Sequence, residues 1–171
     1  MAKVICCVKY LSLEPFEEIS LLIKAAYRES DRRLTEAFQP LGITPAQAEV
    51  LLILQEAEPL SLGELGDFLI AEGGHPSRLV DRLFQAGYVQ RQSAPDDRRR
   101  LEISLSDRGK TIAHQVNEVK QKMLASIRPL IEQYDTESLR NLLETYLQGS
   151  QWAKTIEMRR KLAQKSCQQS E

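Results

Sequence analysis

A short β-hairpin pattern interrupts a chain that otherwise shows helical periodicity. Residues 88–91 favour a strand, residues 93–97 are rich in turn-forming side chains, and residues 100–105 alternate polar and apolar side chains with a period of two. Three consecutive arginines, residues 98–100, stand at the tip. The chain is therefore predicted to be mainly α with a small basic β-hairpin (α+β).

Two short helices are predicted immediately before the hairpin. Ser61, followed three residues later by Glu64, is a capping-box pattern that begins the first helix, and Pro76 suits the first turn of the second. Two glycines at residues 73–74 separate the helices. Two short helices joined by a glycine-containing turn and followed by a basic hairpin predict a winged helix-turn-helix over residues 61–106.

The periodicity of these two helices separates apolar from polar positions. The apolar positions expected to face the core are Leu62, Leu65, Phe68 and Leu69 in the first helix and Leu79, Val80, Leu83 and Phe84 in the second. The polar positions expected on the outer face of the second helix are Ser77, Arg78, Asp81, Arg82 and Gln85. Polar side chains on that face of a recognition helix can reach base edges.

The segment before Ser61 predicts two further helices. Pro15 suits a helix start, and the apolar stripe that follows it continues to about Pro40. Thr44 supplies a hydroxyl N-cap, and proline at position 45 suits the first turn of a helix that is expected to end before residue 59.

Helices are also predicted after the hairpin. Ser106 is expected to cap a long helix over residues 107–134, with Pro129 kinking or interrupting it. A further helix is predicted over residues 135–149. Residues 150–165 are weakly amphipathic, and the end of the chain is expected to be a frayed polar tail.

Charge is distributed unevenly along the chain. The net charge of the whole chain is −1, yet residues 73–110 contain eight basic and five acidic side chains, a local net charge of +3. A basic face on a slightly acidic body suits binding in a DNA groove with limited non-specific attraction.

Several classes of function lack their sequence signatures. The chain shows no Ser/His/Asp set, no P-loop and no dinucleotide fingerprint, so it is not expected to be an enzyme or to carry a cofactor. Three cysteines make no disulfide framework, and the absence of CxxC argues against a zinc site. Cys6 and Cys7 are either incidental thiols or a redox-sensing pair.

No apolar run approaches the roughly 18 residues needed to span a bilayer. Residues 1–10 lack the long apolar region and the cleavage site of a signal peptide. We therefore expect a cytoplasmic protein without a membrane partner.

Short motifs in and around the hairpin give the sequence a family resemblance. Over about residues 15–148 the chain resembles the MarR family of bacterial transcription regulators (the multiple antibiotic resistance regulators). The most specific motif is Pro-Asp-Asp-Arg-Arg-Arg at the hairpin tip. The motifs that carry the resemblance are residues 77–83, 86–89, 95–100 and 104–109, with a weaker match at residues 43–47.

The resemblance implies a homodimer in which two winged lobes read a pseudo-palindromic operator in double-stranded DNA. It further implies a regulator, usually a repressor, whose affinity for DNA is modulated by a small-molecule or redox effector. The implied organisation is an N-terminal extension (1–13), a dimerisation helix (14–42), a winged helix-turn-helix lobe (43–106), C-terminal dimerisation helices (107–165) and a tail (166–171).

The resemblance also assigns roles in the wing. It implies that Asp97 supports the wing and that Arg99 enters the minor groove, with Arg98 and Arg100 as further DNA-binding candidates. A guanidinium is a good probe of a narrow, strongly negative minor groove. A neighbouring carboxylate could hold its fork in place.

In the recognition helix, Ser77, Arg78 and Arg82 match family positions that face DNA. Arg78 is the best candidate for a base contact, most simply a bidentate contact to guanine. Arg82 could instead touch a phosphate or form an ion pair with an acid such as Asp81.

The sequence departs from the family at residues 73–76, where Gly-Gly-His-Pro replaces the usual small polar start of the recognition helix. The departure leaves open which side chains reach the groove first. His75 is either a DNA contact or an exposed helix cap.

Two further questions stay open at the level of sequence. Candidate lining residues for the family's effector pocket are Tyr27, Phe38, Leu51 and Phe68, and each is equally a plain core residue. The alternative function is a winged-helix protein–protein adaptor that does not bind DNA, because fold alone does not fix function.

Overall fold

The structure consists of helices with a short antiparallel hairpin near the middle of the chain. The computed structural model describes residues 14–70, 75–94 and 101–168. The elements in chain order are α1 (Pro15–Phe38), a 3₁₀ turn (Gln39–Leu41), α2 (Pro45–Ala57), β1 (Leu60–Ser61), α3 (Leu62–Phe68), α4 (Pro76–Gln85), β2 (Val89–Ser93), β3 (Leu101–Leu105), α5 (Asp107–Ile131), α6 (Thr136–Leu147) and α7 (Gln151–Gln168). The predicted mainly α fold with a small hairpin is confirmed.

Reciprocal caps start α2 and α3 at the predicted residues. The Thr44 hydroxyl accepts a hydrogen bond from the Gln47 amide, and the Gln47 side chain accepts one from the Thr44 amide. Ser61 and Glu64 form the same reciprocal pair at the start of α3. Each capping box satisfies two backbone N–H groups that a helix start leaves without intrahelical partners.

The three strands form one antiparallel sheet in the order β1-β3-β2. Val89 pairs with Leu105 and Ser93 with Leu101, while β1 adds only the pairs Leu60 with Ile103 and Ser61 with Glu102. The sequence does not predict β1, because two residues are too few for any alternation to be visible. This third strand ties the start of α3 to the hairpin.

One hydrophobic core joins the lobe to the neighbouring helices. α2 is its centre, with Val50, Leu51 and Leu54 fully buried. Leu65 of α3 and Leu83 of α4 are equally buried, and the start of α5 packs on the same core. The winged lobe and the first turns of α5 are therefore one packed unit.

The C-terminal helices differ from their predicted ends. α5 continues past Pro129 and ends at Ile131, three residues before the expected end. α7 runs to Gln168, so its last three residues overlap the stretch predicted as a tail. α7 lies against α2 and α3 of its own lobe, and the assignment of residues 107–165 to dimerisation stays a prediction.

α6 begins at a side-chain cap. The Asp135 carboxylate accepts hydrogen bonds from the amides of Glu137 and Ser138, at 3.2 and 3.1 Å, and from the Ser138 hydroxyl. The Ser138 hydroxyl and amide hold the pKa of Asp135 below its usual range. The cap therefore favours the ionised carboxylate, as expected at a helix N-terminus.

Within the described residues, no single helix combines the length and apolar character needed to cross a membrane. The segments Glu17–Leu41 and Pro45–Ala57 meet that criterion only when taken together, and they are bent by 75° at their junction.

Candidate nucleic-acid interface

Helix α4 presents one buried and one exposed face. Leu79, Val80 and Leu83 are at most 5% exposed and anchor the helix on the core. Ser77, Arg78, Asp81, Arg82 and Gln85 are exposed. The predicted division of this helix into a core face and a polar outer face is therefore confirmed at these positions.

His75 is the N-cap residue of α4, and its side chain is exposed. The backbone carbonyl of His75 accepts a hydrogen bond from the Arg78 amide at 2.9 Å, while its side chain makes no capping hydrogen bond. The position agrees with an exposed cap. A contact between this imidazole and DNA stays a prediction.

An ion pair connects α4 to the hairpin. The Arg91 guanidinium of β2 binds the Asp81 carboxylate of α4, and its Cζ lies 5.0 Å from the centre of the Phe84 ring. Phe84 is 49% exposed, which corrects its predicted inward position. Arg91 covers part of the Phe84 ring instead, through a cation–π contact.

Leu62 is the second residue whose predicted burial is wrong. It is 41% exposed because it occupies the first position of α3, next to the Ser61 cap. Leu65 is the fully buried residue of that helix.

The open end of the hairpin is fixed by the start of α5. The Ser106 hydroxyl donates to the carbonyl of Gly87 at 2.7 Å and accepts from the amide of Gly109 at 2.9 Å. The Ser106 amide donates to the carbonyl of Tyr88 at 3.0 Å. The Arg108 guanidinium also lies over the Tyr88 ring, at 5.0 Å from its centre. One cap therefore joins α4, the hairpin and α5.

Gly109 is a structural residue of this junction whose role the sequence patterns do not predict. A Cβ at this position would lie 1.8 Å from the carbonyl oxygen of Tyr88 and 2.9 Å from its carbonyl carbon. Only glycine allows α5 to approach the backbone so closely. A glycine three residues after the Ser106 cap was the available signal.

The tip of the wing lies outside the described residues, as do the glycines at residues 73–74. The predictions for Asp97, Arg98, Arg99 and Arg100 therefore stay predictions. Ser93 and Leu101, the residues that end the hairpin strands, are a register pair.

The four candidate pocket residues differ in their surroundings. Phe38 and Leu51 are buried in the core and Phe68 packs partly buried against it, whereas Tyr27 is 48% exposed on α1. A cleft of about 360 Å³ lies elsewhere, between α3 and α7, and is lined in part by Gly66, Leu69 and Trp152. The effector pocket stays a prediction.

The redox candidates Cys6 and Cys7 also lie outside the described residues. Within residues 14–70, 75–94 and 101–168, no group of three or more His, Cys, Asp or Glu side chains is arranged to hold a metal ion.

Comparison with known proteins identifies the family. The MarR family model matches residues 43–101, a range that includes α2, α3, α4 and β2 and ends at the first residue of β3. The multiple antibiotic resistance protein MarR of Escherichia coli is 34% identical over 98 residues, covering 57% of this chain and 68% of that protein. The chain belongs to the MarR family. The transcriptional regulator SarZ of Staphylococcus epidermidis is 26% identical over 141 residues, covering 82% of this chain and 93% of SarZ.

A solved structure of a mutant E. coli MarR in complex with operator DNA is 30% identical to this chain, with a TM-score of 0.66. The match covers 79% of this chain and 99% of that one. SarZ is named as a transcriptional regulator and the mutant MarR of that structure is bound to operator DNA, in agreement with the prediction that this MarR-family protein is not an enzyme.

Proposed function

We propose that this MarR-family protein binds a pseudo-palindromic operator as a homodimer and regulates transcription from it. The observation that carries the proposal is the geometry of α4, whose apolar face is anchored on the core while Ser77, Arg78 and Arg82 face solvent. A helix held in this way is suited to entering a major groove as a rigid reading element.

The exposed arginines of α4 have separable roles in this proposal. Arg78 lies in the first turn, where recognition helices contact base edges, and its planar fork matches the two acceptors of guanine. Arg82 lies one turn later, where a contact with a phosphate of the DNA backbone positions the helix. Asp81 does not oppose the approach of DNA strongly, because Arg91 neutralises its charge.

The wing supplies the second contact. We propose that Arg99 enters the minor groove, with Asp97 holding its guanidinium and with Arg98 and Arg100 adding phosphate contacts. The described end of the hairpin is held rigidly by the Ser106 cap, so the hairpin has a fixed direction relative to α4.

The dimer is proposed from the apolar surface that a single chain leaves exposed. α6 has no buried residue, and its Leu139, Leu142 and Tyr146 are 55 to 72% exposed. α1 and the end of α5 expose further large apolar side chains, namely Ile19, Leu21, Leu22, Ile23, Tyr27, Leu130 and Ile131. Apolar surface on this scale marks an interface between proteins. A second copy of the chain, with the same three helices, fits it best.

Four charged side chains of α1 pair with one another within the helix. Glu29 pairs with Arg32 and Arg33, and Arg32 also pairs with Glu36. The two guanidinium groups lower the pKa of Glu29 to about 2. The contribution of α1 to the proposed interface is therefore its apolar residues.

Repression, with release by a small-molecule or redox effector, completes the proposal. Its support is the family resemblance, and the described residues do not identify the effector.

Single alanine variants test the two DNA-contacting elements. Replacing Arg78 with Ala should weaken operator binding by about 1–3 kcal/mol and relax preference at one base pair of each half-site. Replacing Arg99 with Ala should weaken operator binding by a similar amount. The change in base preference should fall instead at A·T-rich positions, where Arg99 is proposed to enter the minor groove. Fluorescence anisotropy on operator duplexes with single base-pair changes measures both effects.

Lys161→Ala is the matched control for these variants. Lys161 is an exposed cation of α7 that pairs with Glu157, and its loss removes the same charge outside both α4 and the exposed apolar surface of α1, α5 and α6. Arg78→Ala and Arg99→Ala proteins with the operator affinity of Lys161→Ala would disprove the assignment. Absence of salt-sensitive binding to any duplex by the wild type would favour the protein–protein adaptor.

A further inference from the structure

Helix α7 connects the C-terminal end of the chain to the DNA-reading lobe. It follows α6 after the turn at Gly149 and packs against α3 and α2. Its side-chain hydrogen bonds to the lobe reach the C-terminal end of α3 and Glu49 of α2.

Two side chains of α7 bind the last backbone carbonyls of α3. The Thr155 hydroxyl donates to the carbonyl of Asp67 at 2.9 Å, and Arg159 Nε donates to the carbonyl of Phe68 at 2.7 Å. The last four carbonyls of a helix have no intrahelical donors, and a cation near them is favourable. α3 has no basic residue in its own last turn, so α7 supplies that charge.

Glu49 of α2 closes the network. Its Oε1 accepts a hydrogen bond from the Ile70 amide at 3.1 Å and also binds Arg159 Nη2. The site is partly shielded from water, because Thr155 is 6% exposed and the Glu49 side chain 18% exposed. Side chains of two helices, α7 and α2, thus hold the backbone at residues 67, 68 and 70.

This segment leads directly into the recognition helix. Only four residues separate Ile70 from His75, the N-cap of α4. Whatever fixes the end of α3 therefore limits the positions that the start of α4 can adopt. The exposed residues nearest to that start, Ser77 and Arg78, belong to the proposed DNA-reading face.

We propose that Thr155 and Arg159 are positioning residues for DNA recognition: α7 caps α3 and so fixes the backbone at residues 67–70, which only four residues separate from the N-cap of α4. The inference rests on the proposed function. The inference goes beyond the proposed function because neither Thr155 nor Arg159 needs to touch DNA.

Arg159→Ala is the principal test. Operator affinity should fall about tenfold, because Arg159 makes two charge-assisted hydrogen bonds in a partly buried site and the start of α4 is less well positioned without them. Non-specific binding to random duplex should change less than about twofold, and the slope of log affinity against log salt should be unchanged because no phosphate contact is lost. In hydrogen exchange on the free protein, the Ile70 amide should lose protection.

Three further variants separate positioning from folding. Arg160→Ala is the matched control, because Arg160 is the next residue of α7 and pairs with exposed Glu144; it should retain wild-type affinity. Thr155→Val keeps the side-chain shape and removes only the hydroxyl, so it should reproduce the Arg159→Ala effect in smaller measure. Arg159→Lys keeps the positive charge but lacks the planar, forked guanidinium group, so it should retain part of the affinity that Arg159→Ala loses.

Several results would overturn the inference. One is wild-type operator affinity for Arg159→Ala; another is a salt slope reduced by about one, which would place Arg159 on a phosphate. If Arg159→Ala loses affinity equally for operator and random duplex, in proportion to a lowered Tm, then Arg159 only stabilises the fold. If the wild type binds no DNA, the proposed function fails, and unchanged Ile70 exchange in the free variant would still reject an ordering role for α7.

Discussion

Replacing Gly109 with Ala is expected to lower the free energy of unfolding by about 3 kcal/mol or more, the upper end of the range for forcing an atom into a packed site. The added Cβ would lie 1.8 Å from the Tyr88 carbonyl oxygen, which is a backbone atom and cannot rotate away. Relief requires α5 to move off the hairpin, which breaks the bond between the Ser106 amide and the Tyr88 carbonyl. Urea unfolding followed by circular dichroism measures the loss.

Gly63→Ala is the control for this variant. Gly63 lies in α3, and a methyl group added there would have no neighbouring atom within 4 Å. The same substitution should therefore be neutral or stabilise the protein by up to about 1 kcal/mol. A Gly109→Ala protein that unfolds at the wild-type urea concentration would contradict the close approach of α5 to the hairpin.

Replacing Leu142 with Asp is expected to convert the proposed dimer into a monomer and to reduce operator affinity by at least about 100-fold. Leu142 lies in the exposed apolar stripe of α6, and an ionised carboxylate in a dimer interface carries a large desolvation cost. A monomer can bind only one half-site at a time and loses the avidity of linked lobes. Light scattering after size exclusion measures the mass, and anisotropy measures the affinity.

Asn141→Asp is the control for the dimer variant. It adds the same charge to the neighbouring exposed residue of α6, outside the stripe formed by Leu139, Leu142 and Tyr146. It should remain dimeric. A Leu142→Asp protein with the mass and operator affinity of the wild type would show that α6 is not part of the interface.

The sequence predicted the parts of the fold that depend on local chemistry. The starts of α2, α3 and α5 follow from Thr44, Ser61 and Ser106, because each hydroxyl binds an amide only three residues away. The buried positions Leu79, Val80 and Leu83 follow from helical periodicity. Such signals need no knowledge of the rest of the chain.

The parts that sequence did not predict depend on distant partners. The docking of α7 rests on bonds from Thr155 and Arg159 to backbone carbonyls 88 and 91 residues away, and a backbone carbonyl has no sequence signature. The exposure of Phe84 depends on Arg91 of the neighbouring strand.

The predictions for the candidate site also divide into those that follow from local pattern and those that do not. The outer face of α4, with Ser77, Arg78 and Arg82, follows from periodicity alone and agrees with the structure. The partner of Asp81 was open in the sequence, and the structure assigns it to Arg91. The roles of Asp97 and Arg99 depend on family resemblance and stay predictions.

Selection of duplexes from a random library by the wild-type protein tests the central claim most directly. We predict enrichment of a pseudo-palindrome with half-site centres about one helical turn apart, and affinity for that duplex that falls steeply as salt rises. Failure to enrich any motif, together with equal and weak affinity for selected and random duplexes, would contradict the account.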